Sequence, residues 1–426
     1  MRKSQFGVQA VALVILINLL LWILFPPPND GRENFNAQHL AEMFSSSALL
    51  LMSCGIGLSL RPRFLEPYFG GLDKMYVLHK RIQVLAIIFL SIHATIVALT
   101  SSGYNWGPSL GKIALIGLLT EVFLALMPSL PWLRKKDWLK YHHWKLLHHF
   151  TGTFFLVGIL HTFRVEPVML GTPVVYYYVR ILSFTGAALY LYKELIERFF
   201  KKGLLYRVSQ VRRLTKSVVE VRLSPESNRL AYRAGQFLFV RFPGSDKLSE
   251  EHPFTISSAP HEEQVRLTIK TSGDFTRRLY DHLQEGAAAR LAGGYGMFDY
   301  KLGGKQQVWV AGGIGLTPFL SWMRAFDGPA DWKIDFFYSV RSAEEALFLD
   351  EIETARAIQP SFTPHVHISD RDGKLTVDKI VEVVGSVTDR DIYMCGPPAM
   401  IQAFEQQLLD EGVARSAIHY EAFKLR

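Results

Sequence analysis

Residues 77–100 read VLHKRIQVLAIIFLSIHATIVALT, and the rest of the chain is best read outward from this stretch. As a helix it is roughly 36 Å long, enough to cross a hydrocarbon layer of about 30 Å. Its charges, Lys80 and Arg81, sit at one end. Two imidazoles lie within it, His79 and His93, 14 residues apart. That spacing is nearly four helical turns, so both share one face, roughly 21 Å apart along the axis. An ionisable residue inside a span is costly and is read first as functional.

Five further stretches are apolar and long enough to span, near 7–25, 40–60, 110–128, 145–165 and 174–196. The first follows Arg2 and Lys3 as a signal peptide would, but Pro26-Pro27-Pro28 follows it in place of a small-residue cleavage site, so it is expected to be retained. The 61–81 segment holds Arg61, Arg63, Lys74, Lys80 and Arg81, and the 134–145 segment holds Arg134, Lys135, Lys136, Lys140 and Lys145. The alternate loops hold Arg32, Lys112 and Arg164. This asymmetry predicts that both chain ends and everything after the last span are cytoplasmic. It also accounts for the net charge of +8 without nucleic-acid binding.

The fifth span carries His148, His149 and His161. Two helices that each present imidazoles at two heights can hold two haems, one above the other, each iron taking one His from each helix. The direction of the spans pairs His79 with the 148/149 doublet on the inner side and His93 with His161 on the outer side. Spacings of 13 and 12 residues put His161 about 140° or 120° away from the face of His148 or His149, so geometry does not choose between them. Gly152 and Gly158 could absorb a distortion. Zinc or copper would need its ligands on one level. His142 and His143 are assigned to the cytoplasmic loop, without chemistry.

Of the 426 residues 49% are hydrophobic and the mean hydropathy is +0.12, an average that hides a split near residue 200. The expected domains are a six-helix transmembrane di-haem bundle (1–200), a β-barrel domain (201–302) and an α/β parallel-sheet domain (303–426). Cys54 and Cys395 are too few and too far apart for a disulfide framework or a CxxC site. Short strands are predicted at 218–223, 237–242, 255–257 and 265–271, then a helix at 275–284. Strands at 308–311, 334–338, 365–368 and 391–394 alternate with helices at 319–325, 343–358, 377–384 and 399–411, the pattern of a parallel sheet covered on both faces. The first of these strands runs into Gly312-Gly313-Ile314-Gly315-Leu316-Thr317-Pro318, where glycines and a helix N-terminus suit a pyrophosphate. Cys395-Gly396-Pro397-Pro398 ends a later strand at the same carboxyl edge.

His252-Pro253-Phe254-Thr255 resembles the flavin-binding motif of NADPH oxidases and ferric reductases. Gly312–Pro318 and Met394–Pro398 are similar to the nicotinamide-nucleotide motifs of ferredoxin–NADP reductases, and the paired histidines to the bis-histidyl haem pattern of the oxidases. The resemblance runs from about residue 40 to the end. It implies that His148, the earlier His of the doublet, is the ligand. It implies FAD contacts at His252, Pro253, Phe254 and Thr255, with Thr255 beside the flavin N5, and at Gly273, Asp274 and Thr276 for the pyrophosphate. It implies nucleotide contacts at Gly312, Gly313, Gly315, Thr317, Pro318, Ser339, Arg341, Cys395, Gly396 and Pro397. Arg341 would pair with a 2′-phosphate and favour NADPH, with NADH as the alternative. Phe423 resembles the aromatic cover of the flavin, though Lys424, Leu425 and Arg426 follow it. Cys395 either touches the nicotinamide or fills space.

The implied activity is electron transfer from NADPH through FAD and two b-type haems to O2, giving superoxide. A ferric-chelate reductase with the same electron chain is the nearest rival, and a haem-free transporter or receptor with a nucleotide-sensing tail is a rival of another class. The sequence carries no EF-hand loop and no SH3-like module, so no regulatory subunit or calcium control is expected, and activity should be constitutive. A bacterial inner membrane is the expected location at family level.

Overall fold

The computed structural model describes residues 5–100, 106–127, 141–200, 203–245 and 247–421. It divides into two compact units, 1–201 and 202–426.

The first unit contains six helices long and apolar enough to cross a membrane. They are α1 (Phe6–Leu24), α2 (Phe35–Ser59), α3 (Leu72–Thr100), α4 (Trp106–Leu126), α5 (Tyr141–Arg164) and α6 (Pro173–Leu191). A π-helical turn, Tyr192–Ile196, extends α6. Leu13, Leu16, Leu20 and Ile23 on α1 and Ile181 and Phe184 on α6 are exposed, as a lipid-facing surface requires. Polar groups turn inward instead. Asn18 is fully buried and donates to Ser46 and Ser47, and the indole of Trp22 donates to Ser46. The helix α5 is unbroken, so its glycines mark no distortion. They serve close packing: a Cβ on Gly152 would lie 2.1 Å from the ring of Tyr190, and one on Gly158 would touch the Cβ of Ala114.

The second unit begins with an antiparallel sheet of β1 (Leu204–Arg213), β2 (Val218–Pro225), β3 (Phe237–Arg241), β4 (His252–Thr255), β5 (Val265–Lys270) and β6 (Ala288–Tyr295), in the order β4-β3-β6-β1-β2-β5. An isolated bridge between Ile256 and Leu267 brings the two edges together and curls the sheet. Val219, Val221, Leu223, Leu238, Val240, Leu267 and Leu291 fill its interior. The helix α7 (Asp274–His282) follows β5.

A five-stranded parallel sheet comes next: β7 (Gln306–Gly312), β8 (Lys333–Val340), β9 (Phe362–Ile368), β10 (Asp391–Cys395) and β11 (Ile418–Glu421), in the order β11-β10-β7-β8-β9. Its helices are α8 (Thr317–Arg324), α9 (Leu349–Ile358), α10 (Val377–Val384) and α11 (Pro398–Asp410). Alternate residues feed opposite cores. Trp309, Phe336 and Tyr393 join one, and Val308, Val310, Phe337 and Met394 the other. Strands buried on both faces read as continuous apolar runs.

The structure corrects several sequence expectations. β1, β6 and β11 carry mixed or short patterns and escaped the reading. β4 starts at His252, three residues earlier than expected, because the flavin motif itself pairs with β3. The expected helix at 343–358 is broken. Ala343–Glu345 forms one 3-10 turn, Phe348 adopts a positive φ of 60°, and the helix starts at Leu349. The hydroxyl of Tyr338 holds the break open, donating to the Glu345 carbonyl and accepting from the Leu347 amide.

Asp335 on β8 accepts from His365 and, at 2.6 Å, from Arg390. Burial raises its pKa, but these hydrogen bonds and the Arg390 charge outweigh burial and hold it below the usual carboxylate range. A depressed folded-state pKa gives stability that is present above the unfolded value of about 4 and lost as pH falls through the folded one. Asp335→Asn should therefore flatten the loss of stability in acid. At neutral pH it should cost about 2–3 kcal/mol, because buried Arg390 loses its anion. Urea unfolding against pH, followed by tryptophan fluorescence, checks both.

Candidate functional site

In the membrane unit, α3 presents both its imidazoles to α2. His79 Nδ1–H donates to the Gly55 carbonyl at 2.9 Å, and His93 Nδ1–H donates to the Ala41 carbonyl at 3.0 Å. The two acceptors are 14 residues apart on α2, matching the histidines in reverse order. A carbonyl can only accept, so each Nδ1 carries a proton, and in the neutral ring each Nε2 keeps its lone pair, the state a metal needs.

On α5 the doublet is split by its neighbours. His148 faces His79, with ring centroids 6.2 Å apart and planes at 85°. His149 turns to α6 and the turn beyond it. Its Nδ1 donates to Glu194 at 2.8 Å, and its carbonyl accepts from the Tyr190 hydroxyl. Two imidazoles on opposite sides of one metal, each bonded at ~2 Å, would have centroids about 6 Å apart. The 79/148 pair fits that requirement. His161 packs its ring over Gly111 of α4, where a Cβ would come within 3.0 Å of Cε1 and Nε2.

Arg180 and Glu121 are among the buried charges in this unit that the sequence reading missed. Arg180 of α6 donates to the carbonyl and hydroxyl of Thr162, next to His161, and lies 3.8 Å over the ring of Phe163. Glu121 of α4 is buried, and its Oε2 has no hydrogen-bond partner. Both sit singly in apolar runs, and only a helix-face analysis of α4 and α6 could have turned them inward.

In the second unit, β4 carries the four-residue flavin motif beside α7. The His252 ring stacks on Phe275 at 3.7 Å, and Phe254 is 6.3 Å from the same ring. Thr255 is buried, and its hydroxyl makes no hydrogen bond. A buried hydroxyl without a partner is costly, so this atom fits a ligand contact. At the start of α7, the Thr276 hydroxyl accepts from the amides of Ser272 and Gly273. A Cβ on Gly273 would meet open space, which leaves room beside the helix N-terminus.

The loop from Gly313 to Leu316 lies between β7 and α8. Gly315 is pressed against β10, since a Cβ there would fall 2.1 Å from the Cys395 carbonyl oxygen. Gly313 has a φ of 54° with open space beside it. Gly312 pairs with Ser339 across β7 and β8, and Gly396 sits against Gly312. Thus Gly312, Gly313, Gly315, Thr317, Ser339, Cys395 and Gly396 converge at the carboxyl edge of the parallel sheet. A pocket at this edge is lined by Gly313, Thr317, Tyr338 and Phe348, together with Thr268 and Lys270 from the curled sheet. Lys270 was also missed. It ends a strand that reads as core, and only the fold brings its ammonium near the glycine loop, 3.9 Å from Glu345. Arg341 is well exposed and pairs with Asp370 at 3.5 Å. Cys395 is fully buried, and burial pushes its thiol well up, so it stays protonated at neutral pH. Phe423 lies outside the described residues.

Three stretches of the chain match families of known proteins. Residues 44–159 match the family described as ferric reductase like transmembrane component, 204–310 match an FAD-binding domain, and 309–406 match an oxidoreductase NAD-binding domain. The reductase component of propane 2-monooxygenase from Rhodococcus jostii is 28% identical over 232 residues, covering 51% of this chain and 62% of that protein. The flavohemoprotein of Bacillus subtilis is 25% identical over 260 residues, covering 57% of this chain and 65% of that protein. The chain thus spans less than two thirds of these relatives. Among solved structures, the cytochrome P450 reductase GcoB of Amycolatopsis superimposes with a TM-score of 0.46 at 24% identity, over 52% of this chain and 69% of that one.

Proposed function

This chain belongs, by its domain architecture, to the ferric reductase/NADPH oxidase superfamily and is an oxidoreductase, and from that premise we propose that it carries electrons from cytosolic NADPH through FAD and two b-type haems to O2 outside, producing superoxide. The observation that carries the proposal is the inner histidine pair. His79 and His148 stand at the separation one iron needs, and His79 has its Nε2 left for the metal. FAD, when bound, takes a hydride from the nucleotide and releases single electrons that haems can carry.

The residues divide the work as follows. His79 and His148 hold the inner haem, and His93 and His161 the outer one. The carbonyls of Gly55 and Ala41 fix the α3 rings in orientation and tautomer. Thr255 offers its hydroxyl to the flavin ring. Gly273, Asp274 and Thr276 form the helix start that receives the FAD pyrophosphate. Gly312, Gly313, Gly315, Thr317 and Pro318 form the nucleotide loop, with Lys270 as an added cation for its phosphates. Arg341 must exchange Asp370 for a 2′-phosphate, which makes a preference for NADPH conditional on that exchange. The domains we assign are 1–200, 201–302 and 303–426. Loop charge supports a cytoplasmic location for both chain ends.

A visible spectrum of the detergent-purified chain, before and after anaerobic NADPH, tests the proposal. Bis-histidyl haem bands and a bleached flavin support it, and a colourless protein sinks it. The match to a ferric reductase like component favours a ferric chelate as the rival acceptor. NADPH-driven cytochrome c reduction that superoxide dismutase leaves untouched would count heavily against O2 as the acceptor.

The doublet gives a separate prediction. His148→Ala should lose the inner haem, while His149→Ala should keep both, because His149 is held by Glu194. Haem per protein, measured as the pyridine haemochrome, distinguishes the two.

A further inference from the structure

The helix α8 joins the two sheets of the second unit. Its N-terminus continues directly from the glycine loop, which Gly315 presses against Cys395. Its C-terminus is tied to the segment that follows the flavin motif. Ser321 donates to the Ser258 carbonyl at 2.6 Å, and Arg324 Nη1 donates to the Ser257 carbonyl at 2.5 Å. Ser257 is two residues beyond Thr255.

Arg324 is largely buried, its side chain 9% exposed, and it is held from three sides. Its Nε and Nη2 form a two-pronged pair with Glu351 of α9, at 2.6 and 2.8 Å. Its Nη2 also lies 3.8 Å from Glu220 of β2. The Glu220 side chain is fully buried, and Arg222 pairs with it at 3.1 Å. One guanidinium therefore joins the curled sheet, the flavin strand and the helix that follows the nucleotide edge of β8. A planar, five-donor group suits this role, and an ammonium could not make these bonds together.

We propose that α8 is a strut and that Arg324 is a positioning residue, setting the spacing between the flavin strand at Thr255 and the nucleotide loop at Gly312–Pro318. The proposal rests on the assignment of those two segments given above. The step it governs is hydride transfer. The C4–H bond of the reduced nicotinamide breaks, and the hydrogen moves with both electrons to the flavin, so the nucleotide is oxidised and the flavin reduced by two electrons without any further reactant. Such a transfer depends steeply on donor–acceptor placement, and a misplacement of about 1 Å can cost on the order of 100-fold. Arg324 touches neither reactant's motif with its own charge, so its loss should alter rate more than binding.

The test uses the full chain, loaded with FAD, and follows flavin absorbance in anaerobic stopped flow against NADPH concentration. For Arg324→Met the limiting rate of flavin reduction should fall about tenfold or more, while the apparent NADPH dissociation constant moves less than about threefold and FAD content is kept. The long-wavelength charge-transfer absorbance of the stacked nicotinamide and flavin should fade in parallel. Arg324→Lys should recover part of the rate, since an ammonium can reach Ser257 or Glu351 but not both as the guanidinium does. Ser321→Ala, which removes the milder tie, should slow the limiting rate about threefold. A wild-type limiting rate in Arg324→Met, or a loss confined to affinity or flavin content, overturns the strut. If Arg324→Met does not fold, unchanged limiting rates in both Arg324→Lys and Ser321→Ala overturn it equally. Wild-type protein whose flavin stays oxidised under NADPH sinks the underlying assignment, and the strut with it.

Discussion

Replacing His93 or His161 by Ala should each remove one haem of two and reduce transfer to the external acceptor to background, while NADPH still bleaches the flavin. The two levels on α3 are roughly 21 Å apart, so loss of the outer level strands the electron at the inner one. The substitutions themselves are mild for folding. His93→Ala forfeits one hydrogen bond to the Ala41 carbonyl, a cost of about 1 kcal/mol. His161→Ala opens space beside Gly111, where the ring now packs. Their local contacts differ, so purely structural roles would give different phenotypes. Shared ligation of one iron gives the same phenotype from both, and added imidazole should restore the outer haem bands in each. Retention of two haems by either variant, measured as the pyridine haemochrome, would remove the outer pair from the proposal. Flavin reduction lost together with the haem would refute the layout as a whole.

What the sequence made legible, and what it hid, follows from where the constraint sits. Spans and their order are legible because a bilayer enforces length and apolarity on each segment separately. The parallel sheet is legible because both its faces are buried, which makes β7, β8 and β10 continuous apolar runs. β1 and β6 are hidden because one side of each strand faces outward and carries charges such as Arg207 and Arg290. The break before α9 is hidden because its cause, the Tyr338 hydroxyl, comes from another strand. At the candidate site, the motifs that are contiguous in sequence could be read directly. Arg324, Lys270 and Arg180 could not, since each acquires its meaning from a partner on another element. The choice between His148 and His149 shows the same limit. Helix phase left it open, and a carboxylate 45 residues away, Glu194, takes up one of the two rings.

Gly315→Ala should be among the most damaging single methyls in the second unit, and the contrast with Gly313→Ala shows why. Neither position tolerates a side chain freely, but for different reasons. Gly313 has a φ of 54° and open space around it, so alanine there pays only for the left-handed backbone, about 1–2 kcal/mol. Gly315 has no positive φ to excuse it, yet its Cβ would lie 2.1 Å from the Cys395 carbonyl oxygen and 2.7 Å from the Gly396 amide. Both contacts are to backbone at the end of β10, which is itself hydrogen-bonded between β7 and β11 and cannot retreat. The loop must move instead, by an ångström or more, and overpacking of this kind costs about 1–3 kcal/mol or more. The loop carries α8 with it, so the displacement reaches the nucleotide site and the Ser257–Arg324 tie together. Gly315→Ala should therefore raise the NADPH dissociation constant at least about tenfold and lower the limiting flavin-reduction rate as well. Gly313→Ala should lower thermal stability with a smaller effect on both. FAD content should survive in each variant, because β4 and the start of α7 lie in the other sheet's neighbourhood and keep their own contacts. Equal kinetics in the two alanine variants, measured by anaerobic stopped flow, would show that backbone conformation and not close approach governs this loop.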